Sequence, residues 1–130
     1  MKTIEINSLV LAYLGDSIYE EYTRLFFIKK GLASVKELQK EVVFYVKAPT
    51  QAYFLKKLLD QNFFNENELT IIYRARNAKG HKAPKGSSII AYKKATALEA
   101  VIGYLYLEKE YERVSEIMKI ILEDKDVSVR

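Results

Sequence analysis

The stretch Ala95-Thr96-Ala97-Leu98-Glu99-Ala100-Val101-Ile102-Gly103-Tyr104-Leu105-Tyr106-Leu107 is apolar on nearly every face of a helix. It forms most of the longest apolar segment, Ile89 to Leu107, which Ser87 or Ser88 can cap. A helix of this kind is buried on most sides, either within its own chain or partly against a second subunit. We therefore expect a homodimer built around this helix, with Gly103 permitting close approach. The predicted subunit contacts are Val101, Tyr104 and Leu105.

The remaining sequence also has helical periodicity, and we find no alternating strand pattern, repeat or linker. Asn77 to Gly86 holds two Gly, one Pro and three Lys, which is typical of a loop. Asp124 to Arg130 is predicted to be a flexible tail. Five other helices are predicted. One runs from Asn7 or Ser8 to about Lys30, and the last runs from about Tyr111 to Glu123. Between them, helices begin at Ser34, at Pro49 (with Ala52, Leu55, Lys56 and Leu59 on one face) and at Asn65 or Glu68. Residues 1–130 are therefore predicted to form a single all-α domain.

The composition excludes several classes of site. The 130 residues include no Cys, so disulfides and thiolate zinc centres are excluded. His81 is the only His, which excludes an active site with two, and we expect it to be an exposed loop residue. The N-terminal residues lack an apolar core of signal-peptide length, and no stretch approaches the roughly 18 uncharged apolar residues of a membrane span. These features predict a cytoplasmic protein without membrane contact.

Charge is distributed unevenly along the chain. Seven Lys and Arg residues and no acid lie between Leu69 and Leu98, whereas all 17 Asp and Glu residues lie outside this window. A run of charge is usually a solvated face, but a window without any acid favours binding to a nucleic acid. Arg74 and Arg76 straddle a predicted helix end, where guanidinium groups can bind phosphate bidentately. The other bases of the window are Lys79, Lys82, Lys85, Lys93 and Lys94.

Glu99 lies where a carboxylate is costly, because its helical neighbours are small and the helix is apolar. An unpaired buried carboxylate costs several kcal/mol or stays protonated. Pairing with Lys93 or Arg76 is one solution. The other is a divalent cation, since Mg²⁺ typically takes one or two protein carboxylates and keeps its remaining positions for water and phosphate.

A second carboxylate, Asp16, follows an apolar run from Leu9 to Leu14 and a mid-helix Gly15. From spacing alone it is either a surface acid beside a packing glycine or a ligand to which Gly15 gives access. Glu20 lies one helical turn later and is interpreted as facing solvent. Together, Asp16 and Glu99 predict a metal site that faces a phosphate backbone beside the basic window.

Two blocks of the sequence resemble a known family. Leu11-Ala12-Tyr13-Leu14-Gly15-Asp16-Ser17-Ile18-Tyr19-Glu20 is similar to the signature helix of ribonuclease III catalytic domains. The Mini-III branch of that family, which consists of the catalytic domain alone, resembles this chain in Arg74-Ala75-Arg76-Asn77-Ala78-Lys79, Pro84-Lys85, Tyr92 and Ala95 to Leu107. The resemblance covers almost the whole chain, and we expect no appended double-stranded-RNA-binding domain.

The resemblance implies a ribonuclease III-like helical bundle, a homodimer that cuts double-stranded RNA with Mg²⁺. Asp16 and Glu99 match the family's two invariant metal-site acids and are the predicted catalytic residues. Ala12 and Thr96 stand where larger ribonuclease III enzymes have two further acids, which leaves the number of bound metals open. The predicted RNA-binding residues are Arg74, Arg76, Asn77, Lys79, Lys82 and Lys85.

The resemblance also implies a cellular role, the trimming of the 23S ribosomal RNA precursor near both ends. Ribosomal proteins or the pre-50S particle are further candidate partners. Two other classes stay open from the residues alone. A non-catalytic helical RNA-binding module associated with the ribosome explains the basic window but not Glu99. A partner-binding helical dimer would use Asp16 and Glu99 in structural salt bridges.

Overall fold

The computed structural model describes residues 1–127 and confirms the all-α class. Within that range the chain forms six α-helices, a 3₁₀ turn at Thr3–Glu5 and no strand. The loop predicted from Asn77 to Gly86 connects the fourth and fifth helices. The helices are α1 (Ser8–Lys29), α2 (Val35–Val46), α3 (Ala48–Asp60), α4 (Glu66–Arg76), α5 (Ile89–Leu107) and α6 (Tyr111–Leu122). None of these helices is long and apolar enough to cross a membrane.

α5 is the central helix, and α1, α3, α4 and α6 pack around it. All residues of α5 in the ranges 95–98 and 100–105 are buried. Val101, Tyr104 and Leu105 are therefore covered by their own chain, and the prediction that they form a subunit contact is wrong. The reason is that four neighbouring helices provide the cover that was attributed to a second subunit.

α1 and α5 cross in direct backbone contact at two glycines. A Cβ atom on Gly15 would lie 1.7 Å from the carbonyl oxygen of Glu99, and one on Gly103 would lie 2.1 Å from that of Leu11. A side chain at either position would push the helices apart. Gly103 thus serves a contact within the chain. Because Asp16 follows Gly15, the same crossing places the Asp16 carboxylate next to Glu99.

The segment that follows α6 is anchored as far as the structure describes it. Asp124 accepts hydrogen bonds from the Lys57 ammonium and from the backbone N–H groups of Asp126 and Val127. The Val127 side chain packs against the core. Residues 124–127 therefore differ from the flexible tail that the sequence predicts, because contacts with α3 and the core hold them. Residues 128–130 lie outside the described range.

Candidate active site

A cleft of about 680 Å³ opens between α1, α3, α5 and the loop that precedes α5. Asp16 reaches it from α1, Gln51 from α3 and Glu99 from α5. The other lining residues are Leu9, Ala12, Tyr13, Val46, Lys47, Ala48, Pro49, Gly80, His81, Pro84, Ser87, Tyr92, Ala95 and Thr96. The two predicted catalytic acids therefore share one cleft, and the loop of the basic window forms one of its walls.

The carboxyl groups of Asp16 and Glu99 lie close enough for a hydrogen bond between them to raise the pKa of Glu99. Such a bond requires one of the two groups to carry a proton. Burial, and then the hydrogen bond and charge of Asp16, raise the pKa of Glu99 to about 9. Gln51 opposes this shift, because its Nε2 donates to Glu99 Oε2 at 3.3 Å. At neutral pH the pair therefore holds a proton, which it would release on binding a cation.

No base neutralises this carboxyl pair. Within residues 1–127, neither Asp16 nor Glu99 takes part in a salt bridge. The alternatives in which Glu99 pairs with Lys93 or Arg76, or in which both acids form structural salt bridges, are therefore wrong. Adjacent acids without a counter-charge lower the stability of a fold, and they are typical of functional sites.

The donor set of the cleft fits Mg²⁺. Its acids supply only oxygen, and the described residues include no group of three or more His, Cys, Asp or Glu that could hold a metal ion. Mg²⁺ accepts one or two carboxylates with water and phosphate at its other positions, whereas zinc sites use three or four protein ligands. Thr96 lines the cleft but donates its hydroxyl to the Tyr92 carbonyl at 2.9 Å. Two carboxylates facing an open space are what a phosphate-bridging Mg²⁺ requires.

Three of the predicted RNA-binding lysines, Lys79, Lys82 and Lys85, are exposed on the loop that borders the cleft. Asn77 is exposed at the C-cap of α4. Arg76 is half-buried, and its guanidinium lies 4.9 Å from the centroid of the Tyr73 ring. The loop thus carries exposed lysines at the border of the cleft.

The Arg74 guanidinium is held by hydrogen bonds within the fold. Its Nε donates to Ser8 Oγ at 3.0 Å, its Nη2 donates to the Ile6 carbonyl at 3.1 Å, and its Nη1 donates to the Ile4 carbonyl. These bonds attach the N-terminal segment to the end of α4. Arg74 is therefore a structural residue, in contrast to the phosphate contact that the sequence predicts.

His81 is half-buried, and the prediction of an exposed loop residue is wrong. Its Nε2 lies 2.9 Å from the Ala75 carbonyl oxygen, and its ring meets the edge of Tyr92 at a centroid distance of 5.9 Å. His81 is the point at which the basic loop attaches to α4 and α5. Since Lys79 and Lys82 flank His81 in the chain, these contacts also help to fix where the two lysines lie.

Gln51 is the site residue that the sequence analysis missed. Its side chain is 2% exposed. The buried face of α3 contains Gln51, Phe54, Leu55 and Leu58, so of the predicted set only Leu55 is fully buried. The burial of Gln51 could have been predicted, because Gln51 is the first residue of an i, i+3, i+4, i+7 pattern whose other members are apolar.

Glu20 lies away from the carboxyl pair. Its carboxylate forms a salt bridge of 3.2 Å with Arg24 at the surface of α1. It does not line the cleft. The interpretation of Glu20 as a solvent-facing acid is confirmed.

The chain is similar to characterised and solved proteins over nearly its whole length. A model for the Ribonuclease III domain matches residues 9–110. The Mini-ribonuclease 3 of Clostridium tetani is 43% identical over 91% of this chain and 78% of that protein. The Mini-ribonuclease 3 of Brevibacillus brevis is 44% identical over 87% of this chain and 83% of that protein. The crystal structure of protein FN1578 from Fusobacterium nucleatum superimposes with a TM-score of 0.84 at 35% identity, covering 95% of this chain and 98% of that one.

The matched range contains both cleft acids, Gln51 and the whole basic loop. The fold, the paired acids and these likenesses agree with one another and with the resemblance seen in the sequence. The chain therefore belongs to the ribonuclease III family of endoribonucleases, within its Mini-III branch.

Proposed function

We propose that this endoribonuclease cuts double-stranded RNA with Mg²⁺ held by Asp16 and Glu99. The observation that carries the proposal is the closeness of two carboxyl groups at the crossing of α1 and α5, neither of which forms a salt bridge within residues 1–127. A divalent cation would satisfy both acids and present positive charge to a phosphate in the open cleft.

The chemistry divides between the cation and the protein. Mg²⁺, when bound, supplies positive charge for the scissile phosphate and for the activation of water. Asp16 and Glu99 bind the cation and give up the proton that they share. Water is the nucleophile, so no side chain needs to attack. In-line attack then leaves a 5′ phosphate and a 3′ hydroxyl.

The basic loop is proposed to bind the RNA backbone. A-form RNA is recognised mainly by its shape, through phosphates and 2′-hydroxyl groups, and lysines suit such contacts without reading bases. Lys79, Lys82 and Lys85 are exposed on the loop that borders the cleft, with Asn77 and Arg76 at the adjoining helix end. Support for this assignment comes from that position and from the absence of acids in the window.

We also propose a homodimer, whose two clefts would cut the two antiparallel strands of a duplex. Family membership supports it, but the interface must lie outside the buried face of α5. Apolar side chains that are exposed on one chain include Val10, Leu25, Ile28, Val35, Ile89 and Ile90. Light scattering at micromolar concentration tests the dimer, and a mass near the 15.1 kDa of one chain would reject it.

The proposed substrate in the cell is the 23S ribosomal RNA precursor, cut near both ends in the cytoplasm, on or near the pre-50S particle. Membership of the Mini-III branch supports this role. The test is incubation of the purified protein with a precursor transcript and with an unrelated RNA duplex of equal length. Preferred cleavage near the mature ends supports it, and equal cleavage of both would reject it.

The cleavage reaction has a simple test. The purified protein is incubated with end-labelled duplex RNA in Mg²⁺ or in chelator. Cleavage only in Mg²⁺ is the expected result. Binding that persists in chelator, with no cleavage under either condition, would instead indicate a non-catalytic RNA-binding module.

A further inference from the structure

Gln51 is a buried amide that faces a carboxylate. Its side chain is 2% exposed and lines the cleft, and its Nε2 donates to Glu99 Oε2 at 3.3 Å. The stripe Phe54, Leu55 and Leu58 fixes α3 in the core, so the amide is held on a rigid element. Glu99 is therefore contacted by Asp16 from α1 and by Gln51 from α3.

A role in stability alone explains Gln51 poorly. Burying an amide is unfavourable unless its hydrogen bonds are good. The bond to Glu99 is long for N–H···O, beyond the usual range of about 2.7–3.2 Å. An apolar side chain of similar size would pack at this position without that cost. The amide is thus better explained by what it does to the carboxylate than by what it adds to the core.

We propose that Gln51 is a positioning residue for Glu99. Its N–H group holds one carboxylate oxygen, so that the rest of the Glu99 carboxylate is directed toward Asp16 and the open cleft, where the two acids form a ligand pair for a divalent cation. Ala12 and Thr96 carry no carboxylate, and in the part of the chain that the structure describes no base, including the Lys47 that lines the same cleft, forms a salt bridge with Glu99. The inference rests on the proposed function, in which Asp16 and Glu99 hold the cation.

The test compares Gln51→Met, which keeps length and volume but removes the donor, with the parent. Mn²⁺ is titrated into the metal-free proteins, and binding is followed by calorimetry and by the electron paramagnetic resonance signal of free Mn²⁺. Loss of an outer partner of a metal ligand typically weakens metal binding by about 10–100-fold, and we expect that loss here. The Mg²⁺ concentration for half-maximal cleavage should rise by a similar factor, while the rate at saturating Mg²⁺ recovers most of its value.

Thr50→Val is the matched control, because Thr50 is a buried polar residue on the same turn of α3 that does not line the cleft. It should leave Mn²⁺ binding unchanged. If Gln51→Met does not fold, Gln51→Asn replaces it, since the shorter side chain withdraws the amide from Glu99.

The metal site and the positioning role of Gln51 are tested by different results. If the parent binds Mn²⁺ and Asp16→Asn abolishes binding, the metal site stands. Unchanged Mn²⁺ affinity in Gln51→Met would then overturn only the positioning role. If the parent itself binds no Mn²⁺ and cleaves no RNA, the proposed function and the inference fall together.

Discussion

Two glutamates of this chain, one buried and one half-buried, have opposite surroundings. Glu68, at the start of α4, is 1% exposed and accepts hydrogen bonds from Arg113 Nε and Nη2, each at 2.8 Å, and from the Asn65 backbone N–H at 2.9 Å. Glu99, on α5, forms no salt bridge among the described residues; it accepts a hydrogen bond from the neutral amide of Gln51 and lies close to Asp16, another acid. Both carboxylates lie within the same helical bundle, yet only one is neutralised.

The difference separates a structural acid from a functional one. Arg113 forms a bidentate pair with Glu68, also donates to the Phe63 carbonyl at 2.8 Å, and lies 4.0 Å from the centroid of the Phe63 ring. Glu68 strongly raises the pKa of Arg113, as expected for a close ion pair. Every partner of Glu68 is thus present within the chain. Glu99 and Asp16 form no salt bridge within residues 1–127, and the proposed Mg²⁺ would be their partner.

The largest expected effect is on cleavage. Asp16→Asn keeps the shape of the side chain but removes one of the two acids, and a catalytic cation contributes several kcal/mol to the transition state. We expect the rate to fall by roughly 10³-fold, with RNA binding and folding retained. Single-turnover cleavage of duplex RNA measures the rate. Glu20→Gln, one turn along α1, is the control and should keep the parent rate; near-parental cleavage by Asp16→Asn would place the active site elsewhere.

The second effect is on folding and concerns the neutralised acid. Glu68→Gln removes the buried, bidentate partner of Arg113 and leaves it only the exposed Glu116 carboxylate, 2.9 Å from Nη1; breaking a buried pair costs about 3 kcal/mol. Chemical denaturation should show this loss in the free energy of unfolding, while cleavage at a temperature where the variant is folded stays near the parent rate. Glu66→Gln, an exposed acid in the same first turn, should change the stability by less than about 0.5 kcal/mol. Equal effects of the two variants would mean that the pair is not structural.

The third effect is on RNA affinity. Reversing the charge of Lys79 or Lys82 should weaken duplex binding and reduce the dependence of log K on log salt. Each lost phosphate contact lowers that slope by about 0.9 on B-form DNA, and a similar order is expected on RNA. Lys36→Glu on α2, outside the basic window, is the control. Arg74→Ala should lower the stability rather than the salt slope. Binding curves that coincide for Lys79→Glu, Lys36→Glu and the parent would place the RNA on another surface.

The fourth effect is the dependence of stability on pH. The pKa of Glu99 is about 9 in the folded protein against an ordinary 4.5, so the native state holds the proton more tightly than the unfolded chain. The free energy of unfolding should therefore fall as the pH rises from about 4.5 to about 9. Glu99→Gln removes this titration, so the variant should follow a flatter curve in chelator. Parallel curves for the variant and the parent would show that Glu99 does not titrate in this way.

The helices and the unusual position of Glu99 could be predicted because their signals are local, whereas Asp16 was assigned through the resemblance to ribonuclease III domains. Periodicity gives α1 and α5, and a carboxylate stands out in an apolar run such as the one around Glu99. The partners of Arg74 could not be predicted, since Ile4 and Ser8 lie 70 and 66 residues away in the chain. The same holds for the Gly103 contact with Leu11, which decides between cover by the chain itself and cover by a second subunit. Contacts of this kind depend on how helices cross, which no local pattern specifies.

The most direct measurement is the change in unfolding free energy on adding Mg²⁺ to three proteins: the parent, Asp16→Asn and Glu68→Gln. A cation that binds only the native state stabilises it by about 1.4 kcal/mol at ten times its Kd. The parent should gain this amount. Glu68→Gln should start from a lower stability and gain the same amount, whereas Asp16→Asn should gain nothing. An equal gain in Asp16→Asn and the parent would contradict the assignment of the cation to the Asp16–Glu99 pair.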